Sequence, residues 1–142
     1  MRITLFIGAL GAGGAERALI VLAKGLNERG HDVTVLTWMN QGPDFYHVSD
    51  GVKHVRAIIP ESVVSTRWYN VVGIVRRLVA LRRAIKSTRP EVAISFLDGN
   101  NELFLLASIK ERYKKILSCQ NDMSEHQHFN SRWERLRDSI YK

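Results

Sequence analysis

The chain has 142 residues, of which 45% are apolar and 25% charged, the balance of one folded domain that buries its own core without staples. No apolar run approaches the ~18–20 residues of a membrane-spanning helix, Ile3–Leu10 is too short and glycine-flanked to read as a signal peptide, and a lone Cys119 excludes an internal disulfide framework. Twenty-one Lys and Arg against fourteen Asp and Glu leave a net +7, which admits nucleic acid, anionic membrane or phosphorylated ligands as partners.

Arg2–Ile7 is a short, β-rich apolar run that stops at a glycine cluster and predicts a buried strand. After Gly8–Gly14 a helix is predicted from Ala15 to Arg29, with Ala15, Ala18, Leu19, Leu22, Ala23 and Leu26 on one face and Gly30 as its stop. Asp32–Thr37 has strong β propensity and predicts a second strand. Residues 41–51 hold glycine, proline and aspartate and read as a loop, and Val52–Ile59 is a weaker third strand ended by Pro60.

A long helix follows from about Tyr69 to Ser87, with Ile74, Leu78, Leu81 and Ile85 at the spacing of a buried stripe. Val92–Phe96 is a fourth strand, Asn100 or Asn101 is a candidate cap for a short helix, and Lys115–Cys119 is a fifth strand. A last amphipathic helix is marked by Trp133, Leu136, Arg137 and Ile140. Strands alternating with helices predict right-handed βαβ units: an α/β, Rossmann-like, doubly wound parallel sheet with helices on both faces, in a single domain over residues 1–142. The chain stops at Tyr141-Lys142 directly after a helix, where such a sheet calls for another strand, so it is expected to be part of something longer.

Ligands of parallel α/β sheets sit at the carboxyl ends of the strands, where helix N-termini point. Gly8-Ala-Leu-Gly-Ala-Gly-Gly-Ala-Glu16 occupies that place. Its glycines permit close approach of backbone to ligand, and free N–H groups at the helix start favour an anion. It is neither of two familiar phosphate loops. A dinucleotide fingerprint needs a third glycine where Glu16 stands and an acid where Thr37-Trp38-Met39 stands, and a P-loop needs Gly-Lys-Ser/Thr where Gly13-Gly14-Ala15 stands. A tight structural turn is the plain alternative. His126-x-His128 matches no standard zinc spacing.

Gly13-Gly14-Ala15-Glu16-Arg17, the following helix, and Glu28-Arg29-Gly30-His31-Asp32-Val33 together resemble the N-terminal domain of glycosyltransferase family 4, the retaining enzymes of two-domain GT-B fold. The likeness continues at Arg89-Pro90-Glu91-Val92 with Ile94-Ser95-Phe96-Leu97, and more faintly at Ser118-Cys119-Gln120-Asn121. The resemblance implies the acceptor-side half of a transferase that moves a sugar from a nucleotide-sugar to a glycan or lipid-linked acceptor in cell-envelope polysaccharide synthesis.

By the same resemblance, Gly13, Gly14, Ala15 and Glu16 form the loop near the donor diphosphate and the acceptor. Ser95, Asp98, Asn100 and Asn121 are candidate acceptor contacts, although capping and turn formation explain such residues equally well. No catalytic residue is assigned: relatives with a histidine after the fourth strand have Phe96-Leu97-Asp98-Gly99-Asn100 here, and Gln120 replaces a frequent arginine. The paired glutamates that grip the donor lie in a second domain, which this chain does not contain. No metal and no cofactor are expected.

The basic character is concentrated. Between Glu61 and Glu91 there is no acid, while Arg67, Arg76, Arg77, Arg82, Arg83, Lys86 and Arg89 supply seven cations, equal to the whole net charge of +7. At about 100° per residue, Arg76, Arg83 and Lys86 fall opposite the Ile74/Leu78/Leu81/Ile85 stripe, with Val72, Val75 and Val79 among them. Cations interleaved with apolar residues suit an anionic membrane surface, so the expectation is a cytoplasmic protein, peripheral on the inner face of the membrane. A solvated helix face is the bland alternative. Two rival functions stay open: a non-catalytic anion-binding module, and a nucleic-acid binder acting through the arginine helix. The latter lacks the stacking aromatics expected of it.

Overall fold

The computed structural model describes residues 1–39, 43–57 and 71–119. In chain order the elements are β1 (Arg2–Ile7), α1 (Gly14–Glu28), β2 (Asp32–Thr37), β3 (Lys53–Arg56), α2 (Val71–Ser87), β4 (Val92–Phe96), α3 (Asp98–Ala107) and β5 (Lys114–Ser118). The five strands form one sheet in the order β3-β2-β1-β4-β5, and every neighbouring pair is parallel. Chain direction along the sheet reverses between β1 and β4, which makes their carboxyl ends the topological switch point.

Two apolar layers sandwich the sheet. On one side Ala15, Leu19 and Ala23 of α1 pack on Ile3, Leu5, Ile7, Val33, Val35 and Phe96. On the other, Leu81 and Ile85 of α2 and Phe104 and Ala107 of α3 pack on Phe6, Leu36 and Ala93. The central strands read as nearly unbroken apolar runs because both faces are covered, and this is the doubly wound arrangement predicted above.

Helix faces depart from the simple periodic reading. In α1, Ala18 is exposed and Leu22 is 36% exposed, while Ile20 joins Leu26 at the core. The face that meets the sheet is therefore rotated toward Ile20. In α2 the buried line is Gly73, Arg77, Leu81 and Ile85, and Ile74 lies outside it, 37% exposed. The buried positions fall on an i, i+4, i+8, i+12 row of the helix, the row that carries Leu81 and Ile85 onto the sheet. Arg77 is carried inward by the same row.

The start of α3 also differs. Asn100 and Asn101 do not cap it: the N-cap position is Leu97, at φ 72° and ψ 141°, and both asparagines are buried in the first turn. A non-glycine residue at positive φ costs on the order of 1–3 kcal/mol and persists only where its surroundings hold it. Here the Leu97 N–H donates to the Ser118 carbonyl at 3.2 Å, and its own carbonyl accepts from the Asn100 and Asn101 amides at 3.1 and 2.9 Å. The expected strand end at Cys119 closes one residue earlier, the third strand is reduced to Lys53–Arg56, and the expected helix around Trp133–Ile140 lies outside the described residues.

Candidate active-site cleft

Three strand ends meet at the switch point, and Gly8 is their common node. Its carbonyl accepts the backbone N–H groups of Trp38, at 3.0 Å, and Met39, at 2.8 Å, joining β1 to β2. The Trp38 indole Nε1–H donates to Asn100 Oδ1 at 3.0 Å, and Asn100 Nδ2 donates to the Phe96 carbonyl at 3.0 Å, joining β2 to β4. A Cβ on Gly8 would meet Met39 Sδ at 2.9 Å and Asn100 Oδ1 at 3.4 Å, so glycine is the residue that lets the bridge close over β1.

Beyond Gly8 the loop runs through Gly11 to Gly13, the N-cap of α1, which carries no side-chain cap. Glu16, at the third helical position, folds its carboxylate back over Gly13, and a Cβ there would overlap it. An acid so placed is favourable against the positive end of the helix. Gly14 is different, since a Cβ on it would meet nothing within 4 Å; its surface is open to a ligand. Ala15 is buried against the sheet, so it contributes backbone alone to the loop.

Gly13→Ala is expected to push the Glu16 carboxylate off the helix end and to cost up to about 1 kcal/mol, the usual worth of a charge at a helix terminus. Glu16→Ala should cost a similar amount, and the double variant no more than either single one. A urea double-mutant cycle measures this, and additive losses would mean that the two residues act separately.

The remaining candidates separate. Ser95 is fully buried within β4, on the same side as Ala93 by the two-residue period of a strand, and is thus withdrawn from any acceptor. Asn100 faces the cleft wall, but its amide is committed to Trp38 and Phe96. Asp98 opens α3, and its Oδ1 is buried without a hydrogen-bond partner. Of the three acceptor candidates among the described residues, it alone has a side-chain oxygen without a hydrogen-bond partner. Asn121, Gln120 and His126-x-His128 lie outside the described residues. Among the described residues no three His, Cys, Asp or Glu side chains converge as metal ligands, and no helix is long and apolar enough to cross a membrane.

Arg76 and Arg83 are exposed on α2, in the arc expected for them. Lys86 is exposed too but pairs with Glu111 at 3.4 Å, sharing that carboxylate with Arg82 at 2.6 Å. A cleft of about 140 Å³ opens at the opposite, amino ends of the strands, beside Arg2, Asp32, Lys53 and Thr88. Its lysine is already paired with Asp32 at 2.9 Å, and the helix ends that bind anions point the other way.

One cluster escaped sequence reasoning altogether. His54 of β3 lies between Thr37 Oγ1, 3.0 Å from its Nε2, and Asp44 Oδ2, 3.7 Å from its Nδ1. Arg56 pairs with the same Asp44 oxygen. The 43–48 loop is thereby clasped to β3. Burial holds the His54 pKa below 6.5, against the opposing pull of Asp44 and with a lesser lowering from Arg56. A lowered imidazole pKa means that the unfolded chain binds the proton more readily, so this contribution is intact above about pH 6.5 and is lost as pH falls through the folded value. Urea midpoints taken from about pH 7 to pH 5 should fall more steeply for the native chain than for His54→Gln. Equal slopes would dismiss the clasp as a titrating element. The spacing of Thr37, Asp44 and His54 carries no periodic signal; the β2–β3 register and the fold of the 43–48 loop unite them.

The comparisons with known proteins agree with this geometry. The family model for Glycosyltransferase Family 4 matches residues 12–142. A Campylobacter jejuni protein named GalNAc-α-(1→4)-GalNAc-α-(1→3)-diNAcBac-PP-undecaprenol α-1,4-N-acetyl-D-galactosaminyltransferase is 32% identical over 118 residues, covering 83% of this chain and 32% of that protein. In fold the chain is similar to a glycosyltransferase from Rickettsia africae, with a TM-score of 0.69 at 17% identity, over 97% of this chain and 33% of that one. It also matches the calicheamicin glycosyltransferase CalG4, with a TM-score of 0.54 at 15% identity, over 100% of this chain and 38% of that one.

The parallel sheet with a glycine loop at its switch point has the Rossmann-like fold of one half of these GT-B glycosyltransferases. The chain belongs to glycosyltransferase family 4. It spans about a third of the length of the relatives it matches.

Proposed function

We propose that this chain is the acceptor-side unit of a retaining transferase. The enzyme would move a hexose-type sugar from a nucleotide-sugar to a glycan on a lipid carrier, in cell-envelope polysaccharide synthesis. The observation that carries the reading is the glycine loop. An uncapped helix N-terminus and an open Gly14 stand at the switch point, beside Asp98 of the neighbouring strand end. A diphosphate fits the helix end and an acceptor hydroxyl fits the carboxylate. The Campylobacter relative is named for an undecaprenol-linked acceptor, which supports a lipid carrier here. In this reading the half acts by positioning and charge stabilisation, and it is assigned no metal or cofactor.

The α2 face fits the same substrate. Val72, Val75 and Val79 are 56%, 52% and 42% exposed among Arg76 and Arg83, a surface for the anionic inner leaflet where each cation is worth about 1 kcal/mol. Lys86, held by Glu111, adds less. Cosedimentation should therefore show binding to vesicles containing anionic lipid, little binding to neutral ones, and a loss of roughly tenfold or more in Arg76→Glu/Arg83→Glu. Indifference to lipid charge would end the membrane assignment.

The catalytic reading is tested by reading the native gene past codon 142. An open frame with a second Rossmann-like unit allows the whole protein to be assayed with nucleotide-sugars and a polyprenyl-diphosphate glycan, where product mass should rise by one sugar. An immediate stop codon, or no transfer by the whole protein across the common donors, would leave a binding module in its place.

A further inference from the structure

We propose that Phe45, braced by Tyr46, is a stacking platform for a sugar ring of the acceptor glycan, a subsite on the rim of the glycine loop. The inference rests on the acceptor reading above and adds a residue and a mode of recognition to it.

Phe45 is 64% exposed, the one aromatic among the exposed large apolar side chains of the described residues. Isolated exposed apolar residues are ordinary. What distinguishes this one is how firmly its backbone is held. Its N–H donates to the Leu10 carbonyl at 2.8 Å, and Leu10 is a buried core residue at the start of the glycine loop. Asp44, one residue earlier, is held by Arg56 and faces His54, and Val48, three residues later, packs on the core. Tyr46 meets the ring edge-on, with centroids 5.0 Å apart and planes at 83°.

The ring is thus fixed on one side and open on the other. It stands at the carboxyl end of the sheet, joined through Leu10 to the loop that leads to Gly13 and Gly14. Immobilising an aromatic before the ligand arrives removes much of the entropic cost of using it. Its chemistry selects the occupant. A pyranose presents a face of C–H groups that carry slight positive charge, and the negative face of an aromatic ring attracts them. Its described neighbours along the loop are polar: Asp44, paired with Arg56, precedes it, and exposed His47 follows Tyr46. A lipid tail or a protein interface needs a broader apolar patch than one ring supplies, whereas a sugar needs one apolar face and polar groups around it.

The test is a titration of the ¹⁵N-labelled chain with an α-1,4-linked N-acetylgalactosamine disaccharide, followed by amide shifts and by saturation transfer to the sugar protons. Shifts are expected at residues 43–48 and in the glycine loop, with saturation strongest at the sugar C–H face. Phe45→Ala should weaken binding about tenfold, and Phe45→Trp should restore it. Both variants should unfold at the native temperature, because the ring is mostly exposed.

Unchanged binding by Phe45→Ala, with shifts kept in the glycine loop, overturns the platform and leaves the acceptor reading standing. No shifts in either loop overturn both. Perturbation of Phe45 by a short polyprenyl phosphate but not by the disaccharide overturns the sugar assignment in favour of the lipid.

Discussion

Phe104→Ala should lower the unfolding free energy by about 3–5 kcal/mol, the range for deleting a buried aromatic. Phe104 is fully buried and stacks on Phe6 of β1, with centroids 5.9 Å apart and planes at 26°. On its other side lies Tyr113, with centroids 6.5 Å apart. Together these contacts fasten α3 to the middle of the sheet, and α3 carries Asp98 and Asn100. Tyr113 is itself pinned, its hydroxyl 2.7 Å from Ser108 Oγ, so the walls cannot collapse far into the space left by the ring. Urea unfolding followed by circular dichroism measures the loss, and a double-mutant cycle with Phe6→Ala should show coupling of about 0.5–1.5 kcal/mol. A loss below about 1 kcal/mol would mean that α3 repacks freely.

Asn100→Ala should cost about 2–4 kcal/mol although it removes only a small side chain. Two groups lose their partners at once, the Trp38 indole N–H and the Phe96 carbonyl, and each buried polar group left unpaired costs roughly 1–3 kcal/mol. The cost comes from the orphaned groups more than from the deleted amide. Trp38→Phe in the same background should therefore recover part of the loss, since it removes one orphan. Hydrogen exchange should also quicken at Trp38 and Met39, whose amides bond the Gly8 carbonyl, while β5 amides remain protected. Uniform loss of protection would make Asn100 a general core residue instead of the tie across the switch point.

Much of the architecture was legible in the chain because local and global preferences coincide there. Arg2–Ile7, Asp32–Thr37 and Val92–Phe96 are apolar, β-rich runs between turn residues, and each emerges with those bounds. α1 is framed by Gly13 and Gly30, and Gly30 takes the positive φ of 79° that a helix stop of this kind requires. The glycine loop was legible for the same reason, since unusual backbone needs leave an unusual composition. Hydrophobic period was less informative about helix faces. Ile74 and Gly73 differ by one position, yet the glycine is buried and the isoleucine 37% exposed.

The site was less legible than the fold. Asn100 looks like a cap in the sequence, because asparagine after a strand usually is one. Its role depends on Trp38, 62 residues away, and no local rule pairs them. Ser95 looks available because serine is polar, yet its place in a strand covered on both faces buries it. Thr37 and His54 are brought together by the β2–β3 register, which pairs Thr37 with Arg56 and Val35 with His54, and Asp44 joins them because its loop folds onto β3.

By itself, then, the amino-acid order determined the parallel α/β class, the family and the glycine loop between β1 and α1. These follow from short-range patterns, from turn residues with few conformations open to them, and from a family motif contained within a few neighbouring residues. Tertiary structure alone decided which polar groups are buried and which are paired. Asn100 and Ser95 are withdrawn by burial and hydrogen bonding, Lys86 is held by Glu111, and Asp98 keeps an oxygen without a partner. The reason is physical: whether a polar atom is uncommitted depends on every group the fold brings within about 3 Å of it, and sequence separation says little about which groups those are.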